Sequence, residues 1–196
     1  MSAAAIVLAA GSAQRFGADK LLQIFEGKPL IAHAIAAAAA APVERVVVVK
    51  RPGAALDSVV AVARAQDSRV TTIDVGSAAL SASLRAGLGA VRGAANVFVF
   101  LGDMPLVSPD MARLLAERLE GHFAAVPMCG ARPGHPVLLS ARAVSLAANL
   151  TGDHGAGVLL RAHKDDVITI ETGDERVVFD VDTPNDLESL RRRGKS

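Results

Sequence analysis

Tryptophan and tyrosine are absent from this chain of 196 residues, and six phenylalanines bring its aromatic share to only 3%. Stacking of successive bases on aromatic rings is therefore a poor explanation of the chain. An excess of one charge is also lacking. The 21 Lys and Arg nearly balance 20 Asp and Glu, leaving +1, which argues against a general nucleic-acid binder. A single cysteine, Cys129, excludes an internal disulfide and fits a reducing cytoplasm. With no evident partner, Cys129 reads as a small apolar residue at a strand end. No apolar run reaches the roughly 18 residues of a membrane span, since Glu44, Arg45 and Lys50 interrupt the longest candidate. The N-terminal apolar run has no Lys or Arg before it, which makes a poor signal peptide and a good core strand.

What the chain has is apolar residues, 51% of the total, and length enough for one domain spanning 1–196. Strands and helices alternate nearly throughout. Arg45 to Lys50 encloses four valines, the composition of a parallel strand buried on both faces. Ala-rich Leu30 to Ala41 reads as a helix stopped by Pro42. Further helices are expected over Ala54–Gln66, Leu80–Val91 and Pro109–Leu119, with another at the C-terminus. Strands are expected over Val70–Ile73, Asn96–Leu101, Phe123–Met128, Val137–Leu139, Val167–Ile170 and Val177–Phe179. The fold class is thus α/β, a doubly wound and mostly parallel sheet with extra strands in the second half. Such sheets take ligands beyond the carboxyl ends of their strands.

The first of those ends carries the chemistry. The strand Ala4 to Ala10 breaks into Gly11-Ser12-Ala13-Gln14-Arg15-Phe16-Gly17-Ala18-Asp19-Lys20. Glycine lets a backbone approach phosphates closely, and the two cations offset their charge. The spacing matches neither the Walker A loop nor GxGxxG. A plain strand-to-helix turn with surface cations would also produce it.

Two later strand ends carry carboxylates. Asn96 to Leu101 runs into Gly102-Asp103-Met104-Pro105, and Val177 to Phe179 into Asp180-Val181-Asp182-Thr183-Pro184. One or two carboxylates completed by phosphate oxygens is the usual way to hold Mg²⁺ where phosphates react. Asp103 and Asp182 are the candidate pair. Asp103 could instead shape a turn, and Asp182 could favour the dipole of a helix begun by Thr183, Pro184 and Asp186. Asp180 shares a strand face with Asp182, and sequence geometry does not choose between them.

The segments Leu8 to Lys20, Leu101 to Pro105, Gly134-His135-Pro136-Val137 and Asp180 to Leu187 occur in this order. Together they resemble the MobA-like nucleotidyltransferases, most closely the branch with molybdenum cofactor cytidylyltransferases, over essentially the whole chain. The resemblance implies a Rossmann-like nucleotidyltransferase fold and Mg²⁺-dependent transfer of a nucleotidyl group with release of pyrophosphate. It implies that Leu8, Ala9, Ala10, Gly11, Ser12 and Arg15 line the nucleotide, with Gly11, Ser12 and Arg15 on the triphosphate. Lys20 would reach the α-phosphate, Asp103 and Asp182 would hold Mg²⁺, and Asp180 would support them. Lys20, Arg15 and Asp103 are the implied catalytic set.

The resemblance also points to CTP as donor and to the molybdenum-bearing pterin cofactor as acceptor, with a molybdoenzyme as recipient of the product. Ala10 stands where guanine-using relatives have Gly, and its methyl takes space a purine would need. Ser81 and Ser83 could bond a pyrimidine edge, although Ser81 could equally cap the next helix. His135, Asp153 and His154 are candidate acceptor contacts, although loop histidines are often only solvated. His33, His122 and His163 show no metal-ligand spacing, and the tail Arg191-Arg192-Arg193-Gly194-Lys195 reads as a helix C-terminus complementing its dipole. Other readings keep the fold but change the chemistry: another nucleotide or phosphorylated acceptor, a nucleotide-dependent oxidoreductase, or a chaperone delivering the cofactor. Against the oxidoreductase stand the missing GxGxxG and Asp57, which falls inside a helix.

Overall fold

The computed structural model describes residues 2–11, 16, 19–77, 79–150 and 155–193. In chain order the elements are β1 (Ala3–Ala9), β2 (Ile24–Phe25), β3 (Lys28–Pro29), α1 (Leu30–Ala40), β4 (Arg45–Lys50), α2 (Ala54–Gln66), β5 (Val70–Asp74), α3 (Leu80–Ala90) and β6 (Asn96–Leu101). They continue as α4 (Pro109–Arg118), β7 (Ala124–Cys129), β8 (Arg132–Pro133), β9 (Val137–Ser140), α5 (Ala141–Ala147), α6 (Ala156–Ala162), β10 (Val167–Glu171) and α7 (Pro184–Arg193). The main sheet runs β10-β7-β9-β6-β1-β4-β5, with β8 beside β7. β1 is parallel to β4 and β6, and β4 to β5, whereas β9 runs antiparallel between β6 and β7. The mostly parallel sheet with added strands in its second half is therefore present.

Alternation along the central strands builds two cores. Ala5, Val7, Val46, Val48, Phe98 and Phe100 face one side, under Ile31 and Ile35 of α1, Val60 of α2 and Leu115 of α4. Ala4, Ile6, Val47, Val49, Val97 and Val99 face the other, under Leu84 and Leu88 of α3 and Ala143 of α5. Both faces of β4 are buried, which is why an uninterrupted valine run suits it. The small residues serve close packing. At Gly87 of α3 a Cβ would lie 2.9 Å from Val49 Cγ2 and 3.1 Å from Ile6 Cδ1.

A third, smaller cluster positions the site. Phe25, Leu30, Val181, Leu187 and Leu190 are buried together, with Phe16, Leu106 and Phe179 packed against them. Arg191 of α7 also donates through Nε and Nη2 to the Ile24 carbonyl, at 3.2 and 2.9 Å. The C-terminal helix is thereby held on the β2–β3 hairpin that follows the first loop.

The expected strand at Val177–Phe179 is instead a 3-10 turn over Glu175–Val178. Asp174 caps it by accepting from the Arg176 amide at 3.0 Å, a local side-chain bond that competes with strand pairing. The Val177 carbonyl then accepts from the His135 amide at 2.7 Å, and Gly134 lies tight against it. A Cβ at Gly134 would sit 2.4 Å from that carbonyl oxygen. Gly134→Ala is accordingly expected to cost about 1–3 kcal/mol, as forced overpacking does. A thermal melt would show this as a Tm lower by several degrees; an unchanged Tm would contradict the close approach.

Candidate active site

Parallel β1, β4, β5 and β6 end on one edge of the sheet. Their register sets Ala9 beside Lys50, Lys50 beside Asp74, and Leu8 beside Leu101. From this edge the chain leaves β1 through buried Ala10 and exposed Gly11. Ser12 and Arg15 lie outside the described residues, as do Asp153 and His154.

Past the loop, Asp19 starts a 3-10 turn over Lys20–Leu22, closed by the Gln23 amide donating to the Lys20 carbonyl at 3.1 Å. The turn points the Lys20 side chain inward, leaving the residue only 9% exposed. Its ammonium donates to Asp103 Oδ2 at 2.8 Å and to Asp182 Oδ1 at 3.0 Å. Residues 83 and 162 positions away in sequence thus meet at one nitrogen atom. Burial alone would lower the Lys20 pKa, but the charge and hydrogen bond of Asp103, reinforced by Asp182, hold it above its usual value.

Asp103 follows β6 on a turn anchored by buried Met104 and Pro105. Gly102 allows the turn to close onto β1: its amide donates to the Leu8 carbonyl at 2.9 Å, and a Cβ there would lie 3.2 Å from the same oxygen. The Asp103 carbonyl accepts from the Val181 amide at 3.0 Å, joining the two carboxylate loops through backbone. Beyond buried Val181, Thr183 and Asp186 exchange bonds as a capping pair. Asp186 Oδ2 accepts from the Thr183 amide at 2.7 Å and hydroxyl at 2.8 Å, while the Asp186 amide donates to Thr183 Oγ1 at 3.3 Å. The helix start is therefore complete without the Asp182 carboxylate, which turns to Lys20. Asp180 remains exposed, yet partial desolvation and then the charges of Asp182 and Asp103 push its pKa up.

His135 reaches the same region, partly exposed, its Nδ1 3.2 Å from the Val99 carbonyl. Burial lowers its pKa, opposed by the Val99 bond and the Asp103 charge. Its ring is thus held rather than merely solvated. Ser81 does not cap α3. The cap is Ala79, and Ser81 and Ser83 are buried in the first turn, with Ser83 Oγ donating to the Ala79 carbonyl at 3.4 Å. Ala10 is buried beside Leu84 and Val75 on the α3 side of the sheet.

One cluster on this edge has no sequence motif. Lys50, 1% exposed, places its ammonium 2.5 Å from Asp74 Oδ1 and 2.6 Å from Asp57 Oδ1. Burial lowers its pKa, but hydrogen bonds to Asp57 and Asp74 outweigh that and raise it. The available signal is a lysine directly after four consecutive valines, with Asp57 a turn into the next helix.

Among the described residues, no three His, Cys, Asp or Glu side chains converge as a ready-made metal cage. The Asp103 and Asp182 pair nevertheless suits a hard divalent cation. Each directs one carboxylate oxygen at a common cationic centre, and phosphate oxygens would supply the remaining ligands. No helix among the described residues is long and apolar enough to cross a membrane.

Comparison with known proteins agrees with this architecture. A 2-C-methyl-D-erythritol 4-phosphate cytidylyltransferase of Cereibacter sphaeroides is 38% identical over 67% of this chain and 61% of its own length. A probable molybdenum cofactor guanylyltransferase of Thermococcus sibiricus is 34% identical over 58% of this chain and 54% of its own. A nicotine blue oxidoreductase of Paenarthrobacter nicotinovorans is 29% identical over 94% of both chains. The first curated relatives are matched over only part of their length, 61% of that cytidylyltransferase and 30% of a bifunctional GlmU protein of Rhodospirillum rubrum. Among solved structures, Rv0371c of Mycobacterium tuberculosis, crystallised in complex with manganese, superposes with TM-score 0.80 at 26% identity, covering 98% of this chain and 99% of its own. The family model for the MobA-like NTP transferase domain matches residues 5–167, and the chain belongs to that family.

Proposed function

We propose that this chain transfers a nucleotidyl group, most specifically CMP from CTP to the phosphate of a molybdenum-bearing pterin, releasing pyrophosphate. The observation that carries the reading is the single ammonium of Lys20 shared by Asp103 and Asp182 beside the glycine loop. An oxygen of the acceptor phosphate attacks the α-phosphorus, the bond to the bridging oxygen breaks, and pyrophosphate leaves with that electron pair. The acceptor brings its own nucleophile, so the protein's work is positioning and charge neutralisation. Lys20 would place its charge on the α-phosphate, where negative charge builds. The Gly11 to Arg15 segment would cradle the β- and γ-phosphates, and His135 would face the acceptor. Asp103 and Asp182 would hold Mg²⁺, which when bound offsets charge on the phosphates. The manganese in the Rv0371c crystal supports a divalent ion here. A cytoplasmic location and delivery to a molybdoenzyme complete the reading.

Donor choice rests on less. The cytidylyltransferase relative favours CTP and the guanylyltransferase relative favours GTP. Ala10 is buried, and its methyl would take space that a purine needs. A methyl of this kind discriminates by only about 10- to 200-fold. CTP is expected to be preferred, and Ala10→Gly to narrow the gap without reversing it. Values of kcat/KM for both nucleotides check this; a wild-type preference for GTP would contradict it.

The full-length similarity to nicotine blue oxidoreductase favours a second reading, redox chemistry on the same fold. A screen of purified protein separates the two. Pyrophosphate release with triphosphates and candidate acceptors supports transfer, and NAD(P)H oxidation without pyrophosphate supports the alternative.

A further inference from the structure

We infer that Lys20 is the resident counter-cation of the metal site, and that a triphosphate must draw its ammonium away before Asp103 and Asp182 take a divalent ion. The inference rests on the proposed role of these two carboxylates as metal ligands. The Lys20 ammonium takes Asp103 Oδ2 at 2.8 Å and Asp182 Oδ1 at 3.0 Å, one oxygen from each. A divalent ion seeking the same two oxygens would meet a positive charge in its own position. With the ammonium in place the two carboxylates keep only one net negative charge, against two once it is drawn away, so a divalent ion is held more weakly while Lys20 stays between them. A triphosphate changes the balance by giving the ammonium other anionic oxygens.

The backbone need not move. The Gln23 amide fixes the Lys20 carbonyl at 3.1 Å, so the change is confined to a four-carbon stem with rotatable bonds. Metal and triphosphate then bind as a coupled pair, each raising the other's affinity by the same factor. The enzyme is thereby biased against loading a divalent ion ahead of its nucleotide.

Mn²⁺ binding tests this without turnover, using electron paramagnetic resonance on the protein with no acceptor present. Lys20→Met and Lys20→Gln are each expected to bind Mn²⁺ alone about tenfold or more tighter than wild type, the scale of one charged hydrogen-bond partner removed. Added CTP should strengthen Mn²⁺ binding to wild type far more than to either variant. Circular dichroism confirms folding, and the Gln variant carries the comparison if Met does not fold. Variants that bind Mn²⁺ no tighter than wild type would overturn the inference while leaving the metal ligands in place. The double variant Lys20→Gln with Asp103→Asn separates the underlying reading. Loss of Mn²⁺ binding supports Asp103 as a ligand, whereas unchanged binding overturns the ligand role and the inference together.

Discussion

Asp103→Asn is expected to lower turnover by about a hundredfold or more while leaving the fold intact. Loss of one group that stabilises developing charge acts on this scale. Asn keeps the shape of the side chain, and the elements that position the turn do not depend on its charge. Met104 and Pro105 stay buried, the Gly102 amide stays on the Leu8 carbonyl, and the residue 103 carbonyl still accepts from Val181. The ammonium of Lys20 keeps Asp182 as a partner. Steady-state pyrophosphate release at saturating triphosphate, with a thermal melt alongside, checks both halves. Near wild-type turnover would contradict the role given to Asp103.

Lys20→Ala should reduce kcat far more than it raises KM for the triphosphate, because its charge is wanted most as the α-phosphorus reacts. The expected loss in kcat is again about a hundredfold. Arg15→Ala should chiefly raise KM, as expected of a residue that binds the triphosphate without acting on the reacting phosphorus. The two variants together distinguish a phosphate site from a turn with surface cations, since unchanged kinetics in both would leave only the turn. Lys20 is unlike a surface cation in its surroundings. The residue is nearly buried and holds two carboxylates from remote parts of the chain.

Much of the sheet was legible in the sequence because its signals are local. Four consecutive valines mark β4, and Ala54–Gln66 forms α2 with the expected bounds. The β2–β3 hairpin leaves no mark in the sequence because strands of two residues carry no alternation, yet it holds α7 through the Ile24 carbonyl. Helices α5 and α6, of seven residues each, were also too short to stand out from the loops around them. The choice between Asp180 and Asp182 was closed to sequence geometry. In the folded chain Asp186 completes the cap, and Asp182 is the one that meets Lys20. Helix start and site carboxylate are rival explanations of this segment in sequence, and in the fold neighbouring residues satisfy both. The Lys50 cluster was hidden for a different reason. Its partners come from a helix and a neighbouring strand, and residue order carries no sign of that meeting.

Label transfer tests the central claim most directly. CTP labelled at the α-phosphate would be incubated with the enzyme, Mg²⁺ and the molybdenum-bearing pterin, in parallel with CTP labelled at the γ-phosphate. Nucleotidyl transfer predicts that the α-label moves onto the acceptor and the γ-label appears in pyrophosphate, one equivalent for each acceptor modified. A γ-label on the acceptor, or an α-label that stays in CTP while NAD(P)H is consumed, would contradict it.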